Sequence, residues 1–351
     1  MGSLSTELLA FVFVVASAAT WIAGIGLSKT TDVIDRCFGL GDALGGVVLL
    51  AVAGSLPELA ITITAAAKGN LDIAAGNLIG GIAIQTMVIV LCDAVASRTQ
   101  ALTFLVGALV PVLEALLVVM VVAEVMMGAL LPEDDSIGPV SPASLAIVLT
   151  WLGGVWVLNQ VRKAPRWKID MPGSSPGRRT RRARHPSEPE PKPGHARRAI
   201  VVFTGASLVT LVAGVLLEET GNELANRAGI NGVIFGATVL ATATALPEIS
   251  SGIAAVRLGD HQLAVADIFG GNAFQVALFL VADLVAGKPV LPYAGDLNAW
   301  LAGLGIILTV VYAWGVIVRH ESCIARLGRD SIVVIAVFAL GIAGLVAVSN
   351  G

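Results

Sequence analysis

The tripeptide Leu-Pro-Glu occurs twice in this chain, at 56–58 and 246–248, each time inside a long apolar stretch. Hydrocarbon solvates neither a carboxylate nor the carbonyl that proline leaves without a donor, so even one such copy is expensive. The two copies align without a gap. Glu248 lies 190 residues after Glu58, and the same offset joins Gln85 to Gln275, Pro57 to Pro247, Gly69 to Gly259, Gly80 to Gly270, Gly81 to Gly271, Asp93 to Asp283, Gly39 to Gly229 and Gly46 to Gly236. This is an internal repeat of about 60 residues, each copy holding two apolar spans. Two related halves broken by proline and glycine at matching positions point to a transporter whose site lies where the halves meet.

Composition sets the solvent. The chain is 56% hydrophobic and 13% charged, with a mean hydropathy of +0.85, too little charge to cover a soluble domain. The net charge of −3 says little, because the charges are segregated. Cys37, Cys92 and Cys323 lie far apart and suggest neither a disulfide framework nor a thiolate metal site, so they read as small hydrophobes. Met1 to Thr6 lacks the positive charge of a secretory signal, and the first apolar segment reads as a retained span.

Windows long enough to cross about 30 Å of hydrocarbon fall near 8–27, 38–67, 71–96, 101–123, 141–161, 199–218, 230–257, 261–287, 297–318 and 329–348. The fold class is therefore all-α, with ten transmembrane helices in two five-helix halves, 1–161 and 199–351. The intervening 162–198 holds 12 of the 22 Lys and Arg residues and cannot bury a core, so it is expected to be a disordered basic linker. Beside membrane spans such a run is a positive-inside determinant and no nucleic-acid contact, which places it in the cytoplasm of a multi-pass cell-membrane protein with both termini outside. The short loops agree. Lys29, Arg36, Arg98, Arg257, Arg319, Arg326 and Arg329 fall inside, while Glu124, Glu133, Asp134, Asp135, Glu218, Glu219 and Glu223 fall outside, with Lys68, Arg227 and Lys288 as exceptions. An odd number of spans per half makes the two repeats inverted, as alternating access requires.

Each proline frees a carbonyl one turn before its glutamate, those of Ala53 and Ala243. Carboxylate, carbonyl, amide and hydroxyl oxygens together form the ligand set of a hard cation, Ca2+ before any transition metal. The histidines, His185, His195, His261 and His320, sit in loops or at span ends, away from any nitrogen site. Each hairpin turns near Gly69-Asn70 or Gly259-Asp260. At 1.5 Å per residue, Glu58 and Gln85 then lie within roughly 8 Å of each other in depth.

Residues 39–96 and 229–286 resemble the two alpha repeats of the cation/Ca2+ exchanger superfamily, the sodium/calcium and proton/calcium exchangers. The signatures are Ala-Gly-Ser-Leu-Pro-Glu-Leu (53–59) with Gly76-Asn77-Leu78-Ile79-Gly80-Gly81, and Ala-Thr-Ala-Leu-Pro-Glu-Ile (243–249) with Asp267-Ile268-Phe269-Gly270-Gly271-Asn272. The resemblance implies that Glu58 and Glu248 are shared ligands for Ca2+ and the coupling ion. Ser55 and Thr244 would supply hydroxyls, Ala51 and Ala241 backbone carbonyls, and Gln85 and Gln275 the side chains facing the glutamates. Spans 1 and 6 would slide across the site. Relatives of the sodium type commonly carry Thr-Ser before Leu-Pro-Glu and Ser-Asn after the glycine. Here Gly54, Ala245, Gly81, Gly271 and Ile82 remove those groups, while Asn272 keeps one, and the glutamines replace Asn or Asp.

Two glutamates and two neutral glutamines carry −2, which one Ca2+, two protons or two Na+ would neutralise. Three Na+ would leave an uncompensated charge in a low-dielectric site, so near-electroneutral exchange is expected. The reading is an antiporter exchanging Ca2+ for Na+ or H+, with inorganic cations and the bilayer as partners and no cofactor. An exchanger of another divalent or monovalent cation, and a non-transporting cation sensor or scaffold, are the alternatives. An intramembrane hydrolase would need a nucleophile or a metal cage, and neither an Asp pair, a Ser/His pair nor a His-x-x-x-His cluster appears in the spans.

Several polar residues also have plain structural readings. Gln85 and Gln275 can simply bond between helices, and Ser55 and Thr244 can bond back to their own. Glu114, whose mate at 304 is Leu304, reads first as a pairing partner and second as an accessory proton site. Asp93 and Asp283 read as helix-end caps, Glu218 and Glu219 as a solvated helix end.

Overall fold

The computed structural model describes residues 4–38, 51–132, 135–163 and 193–349. Most of the expected linker, the first part of the second expected span with Gly39 and Gly46, and Glu133 and Asp134 lie outside these residues. The elements in chain order are α1 Thr6–Phe38, α2 Leu56–Lys68, α3 Leu71–Ala96, the short α4 Leu102–Val106, α5 Val110–Gly128, α6 Pro142–Lys163 and α7 Pro193–Ala228. They continue as α8 Gly232–Phe235, a π-helical turn Gly236–Leu240, α9 Ala241–Thr244, α10 Leu246–Arg257, α11 His261–Ala286, a 3-10 turn Leu291–Tyr293 and α12 Gly295–Val318. A two-stranded hairpin, β1 Cys323–Ile324 with β2 Leu327–Gly328, precedes α13 Arg329–Ser349. Among the described residues, eight helices are long and apolar enough to cross a membrane, and the bent pair Gly232–Thr244 with Leu246–Arg257 makes a ninth candidate. Among the described residues the regular elements are all helical apart from that hairpin.

Burial sorts the helices. In α3 and α11, 72% and 61% of the apolar window is buried, against 28% in α1, 22% in α7 and 17% in α6. α3 and α11 are therefore the central pair, apolar on every face because protein surrounds them. The long α1 and α7 pack against each other along their length and leave Phe11, Val14, Ile22, Leu208 and Val212 outward-facing. Such outward apolar surface is what a bilayer accepts and water does not.

The repeat builds the same turn twice. The Gly69 and Gly259 backbones have φ of +77° and +79°, the left-handed region that glycine enters without a Cβ penalty. The N–H of Asn70 reaches the carbonyl of Ala65, and that of Asp260 reaches Ala255, both at 2.9 Å, which closes α2 and α10 with their last carbonyls satisfied. The proline of each motif sits in the first turn of its helix, where its missing donor is not needed. Glu58 and Glu248 thus occupy first turns, at the positive end of a helix, where a carboxylate is least costly.

Glycines let the crossing helices approach. A Cβ on Gly24 of α1 would strike the ring of Pro247, and a Cβ on Gly214 of α7 would meet Ala60 and stand 3.0 Å from the carbonyl of Pro57. Gly24 and Gly214 are also 190 residues apart. So α1 bears on the second motif and α7 on the first.

The paired aspartates tie loops down. Asp93 accepts from the N–H of Leu102 (2.7 Å), the N–H of Gly328 (2.6 Å) and the hydroxyl of Ser331 (2.6 Å). Asp283 accepts from the N–H of Ser141 (2.9 Å) and of Val290 (2.7 Å). Glu218 departs from its reading as a solvated helix end. It is fully buried, paired with Lys68 at 3.1 Å and with the Asn70 amide at 2.9 Å, and Glu219 shares Lys68 at 2.8 Å. This pairing also accounts for Lys68 as an exception to the charge bias. Cys92 is buried, Cys323 half-buried, and both are free thiols; the Cys37 side chain lies outside the described set.

Asp93→Ala would leave the buried N–H groups of Leu102 and Gly328 without an acceptor and remove a partner of Ser331, at a cost of about 2 kcal/mol or more. Thermal unfolding of the detergent-solubilised protein should show a clear drop in Tm, with Asp93→Asn falling between the variant and wild type.

Candidate functional site

The helix carrying the second motif is broken at Ala245, where the segment Gly232–Thr244 and α10 meet at 46°. Ala245 has φ −78° and ψ −1°, and the matching Ser55 has φ −88° and ψ 12°, both in the bridge region between helix and strand. The π-helical turn at Gly236–Leu240 just before the break is a second local irregularity of a kind frequent at functional sites. The break turns the N-termini of α2 and α10, with their glutamates, toward the centre of the bundle.

Glu58 is fully buried. Its Oε1 accepts from the Gln85 amide at 3.2 Å, and the Thr244 hydroxyl of the other half also hydrogen-bonds it. The Gln85 amide donates as well to Gln275 Oε1 at 3.0 Å. Gln275 in turn donates to the carbonyls of Asn77 (3.2 Å) and Leu78 (2.8 Å) on α3. Both glutamines are buried, and they join the two halves directly. Gln85 faces its glutamate, whereas Gln275 faces Gln85 and the α3 backbone.

Glu248 reaches the same centre from the other side. A Cβ on Gly54 would stand 3.5 Å from Glu248 Oε1, and the two carboxylates are close enough to feel each other's charge. The Oε2 atoms of both glutamates have no hydrogen-bond partner among the described residues. Two buried carboxylates that share a site and keep acceptor oxygens free are suited to a cation. Glu248 keeps part of its surface open to a cavity lined by Ser55, Ser28, Ser251, Asp267 and Gly271. The Ser251 hydroxyl holds Asp267 at 3.0 Å.

The remaining expected ligands have these positions. Ser55 is buried and lines the Glu248 cavity. Thr244 bonds the Ala241 carbonyl at 3.2 Å as well as Glu58, so back-bonding and a site contact coexist. The carbonyls of Ala51 and Ala241 each accept a helical bond at 3.0 Å, from Ser55 and Ala245. Gly81 leaves room for the Gln275 amide, which a Cβ there would strike, and Gly76 and Gly80 admit the backbone of Val233 and Ala237 to close contact with α3. A smaller residue where relatives carry serine is thus the space in which Gln275 lies.

The structure adds groups that motif reading missed. Asn272 donates to Thr86 at 3.4 Å across the halves. Asp267 and Ser251 stand beside Glu248, and Asp267 carries a sequence signal of its own. Its mate at offset 190 is Asn77, so the repeat is charged at this position in one copy only. The Gly24 and Gly214 pair was likewise readable from the same offset.

Comparison with known proteins gives three findings. The sequence profile of the family described as "Sodium/calcium exchanger protein" matches residues 8–158 and 198–345. The inner membrane protein YrbG of Escherichia coli (strain K12) is 26% identical over 268 residues, 76% of this chain and 74% of that protein. The crystal structure of an H+/Ca2+ exchanger, CAX, superposes with a TM-score of 0.68 at 13% identity, covering 97% of this chain and 86% of its own. The sodium-calcium exchanger NCX_Mj superposes at 0.58 and 14%, covering 97% and 99%.

Gly81→Ala should push the Gln275 amide from its place and cost about 2 kcal/mol of stability by overpacking. The double variant Gly81→Ala/Gln275→Ala makes room for the added methyl. If its Tm is no higher than that of Gly81→Ala, the steric account of Gly81 is wrong.

Proposed function

We propose, from the premise that this chain belongs to the sodium/calcium exchanger protein family, that it exchanges Ca2+ for Na+ or H+ by alternating access at a site between Glu58 and Glu248. The family is one of membrane antiporters, not enzymes, and the chain is a multi-pass membrane protein. The observation that carries the finer reading is the convergence of two carboxylates from separate halves, Glu58 held by Gln85 and Glu248 near enough to feel its charge.

In this reading Glu58 and Glu248 are the ion ligands. Ser55 and Thr244 add hydroxyl oxygens, Gln85 and Gln275 amide oxygens, and the carbonyls of Ala51 and Ala241 their remaining acceptor capacity. The helix N-termini behind both glutamates stabilise their charged forms between ions, while the cation supplies the opposite charge when bound. Calcium fits because the donors are all oxygen. One Ca2+ balances the two carboxylates, and so do two monovalent ions, which keeps each loaded state near neutral in a medium that penalises net charge.

The chain is read as ten spans in two inverted halves, 1–161 and 199–351, around the basic linker 162–198 in the cytoplasm, with both termini outside. The contacts of Gly24 with Pro247 and of Gly214 with Ala60 and Pro57 support α1 and α7 as the pair that moves across the site. Glycine at each crossing leaves a smooth surface, over which a helix can slide without side chains interlocking.

Reconstituted protein should take up Ca2+ under an imposed Na+ gradient, an imposed pH gradient, or both. Glu58→Gln and Glu248→Gln should each reduce uptake by at least tenfold, the equivalent of about 1.4 kcal/mol per lost contact. Undiminished uptake in the double variant would refute the assignment. A current under voltage clamp scaling with each cycle would refute electroneutral exchange alone.

A further inference from the structure

Outside the proposed ion site, Glu114 of α5 is a deeply buried carboxylate that keeps one oxygen unbonded. It is 2% exposed, its Oε1 is paired with Arg162 of α6, and its Oε2 has no partner among the described residues. Arg162 is 19% exposed and stands in the last turn of its helix, where the basic segment begins. Both residues line one cavity, whose other walls include Trp151, Phe269, Gly270 and Ala51. Ala51 and Gly270 each neighbour the ion site, Ala51 lining the Glu248 cavity as well and Gly270 adjoining Gly271. The cavity leaves about 30 Å³ for the centres of water molecules, above the roughly 10–15 Å³ that one water needs.

The repeat gives this group no counterpart. Position 304 holds Leu304, 5% exposed and packed beneath Gly341. A structural ion pair is a poor account of it. Bringing two charges into a low-dielectric interior rarely gains net stability, and apolar replacements of similar volume often do as well. Here the chain kept a carboxylate with one oxygen unbonded in a water-sized space.

We propose that Glu114 is a second proton-binding site, separate from the Glu58 and Glu248 pair, and that its protonation releases Arg162 and makes cation exchange respond to pH whichever ion drives it. The last part rests on the exchange reading above. The step is a plain acid–base equilibrium. A proton from cavity water bonds to the carboxylate, Arg162 keeps its charge and turns toward solvent, and deprotonation returns the proton to water and restores the pair. The charged and titratable groups around it are few. From α6 the Arg162 guanidinium faces it, and from α11 Asp267 acts on it as a more distant negative charge. On α12 the titratable residues are Asp296, in the first turn, and Tyr312, whose hydroxyl pairs with Ser331. Tyr293 belongs to the opposite end of α5, where Gly128 meets Leu291.

The test uses the full chain reconstituted in lipid. Infrared difference spectra between acidic and alkaline pH should contain a protonated-carboxyl signal that Glu114→Gln lacks and Glu114→Asp retains. Because Glu114→Gln leaves Arg162 buried and unpaired, Glu114→Gln/Arg162→Gln serves as the charge-free control for folding. In Ca2+ uptake at fixed Na+ and proton gradients, the wild-type pH profile should contain a step of about tenfold, the change one unit of proton affinity gives, that Glu114→Gln lacks, while the pH dependence due to Glu58 and Glu248 is kept. Spectra and pH profiles of Glu114→Gln that superimpose on wild type would overturn the proposal. If wild-type vesicles move no cation, the exchange reading fails, while the infrared signal still decides whether Glu114 binds a proton.

Discussion

The structure depends on the cost of holding two carboxylates inside an apolar bundle. Glu58 and Glu248 cannot be solvated there by water, so everything around them answers that cost. Each begins a helix and meets its positive end, and Glu58 draws hydrogen bonds from Gln85 and Thr244. The central position of α3 and α11 follows, because they carry the glutamines that cross between the halves. So do the glycines at 76 and 80, which let the segment leading into the second motif lie against α3, and Gly81, which leaves room for Gln275. The same cost makes a bound cation favourable, since a cation restores what burial removed.

The two halves are related but unequal. Glu58 is sealed, while Glu248 opens on a cavity with Asp267 and Ser251. Gln85 binds its glutamate and Gln275 binds backbone. Asp267 answers Asn77, and Glu114 answers Leu304. An exchanger made of identical halves would present the same surroundings to its ion from either side. These differences supply the means by which one face of the membrane can be treated unlike the other.

Much of the fold was legible before any coordinates. Hydropathy located the apolar helices, the 190-residue offset located the matched turns at Gly69 and Gly259, and the helix-end aspartates do bind loop amides. The candidate site residues stood out in the sequence as types and spacings, since a proline beside an acid in an apolar run is rarely tolerated without purpose. Harder to read were Glu218, at a helix end yet buried against Lys68 and Asn70, and Asp267, which lies within a glycine-rich signature. Both are decided by partners about 150 and 16 residues away, Lys68 and Ser251, and no local pattern records such a partner.

The sequence by itself determined the solvent, the helical class, the duplication and the oxygen-rich chemistry of the two motifs, because hydropathy, proline and charge act through local rules. Only the tertiary structure decided which groups meet. It set Gln85 between Glu58 and Gln275, brought Thr244 to the opposite half's glutamate, turned Glu248 toward Asp267 and joined Glu114 to Arg162. The reason is geometric: a helical period states which face a residue occupies, but the partner on that face depends on how helices far apart in the chain cross, and that is settled by the packing of the whole bundle.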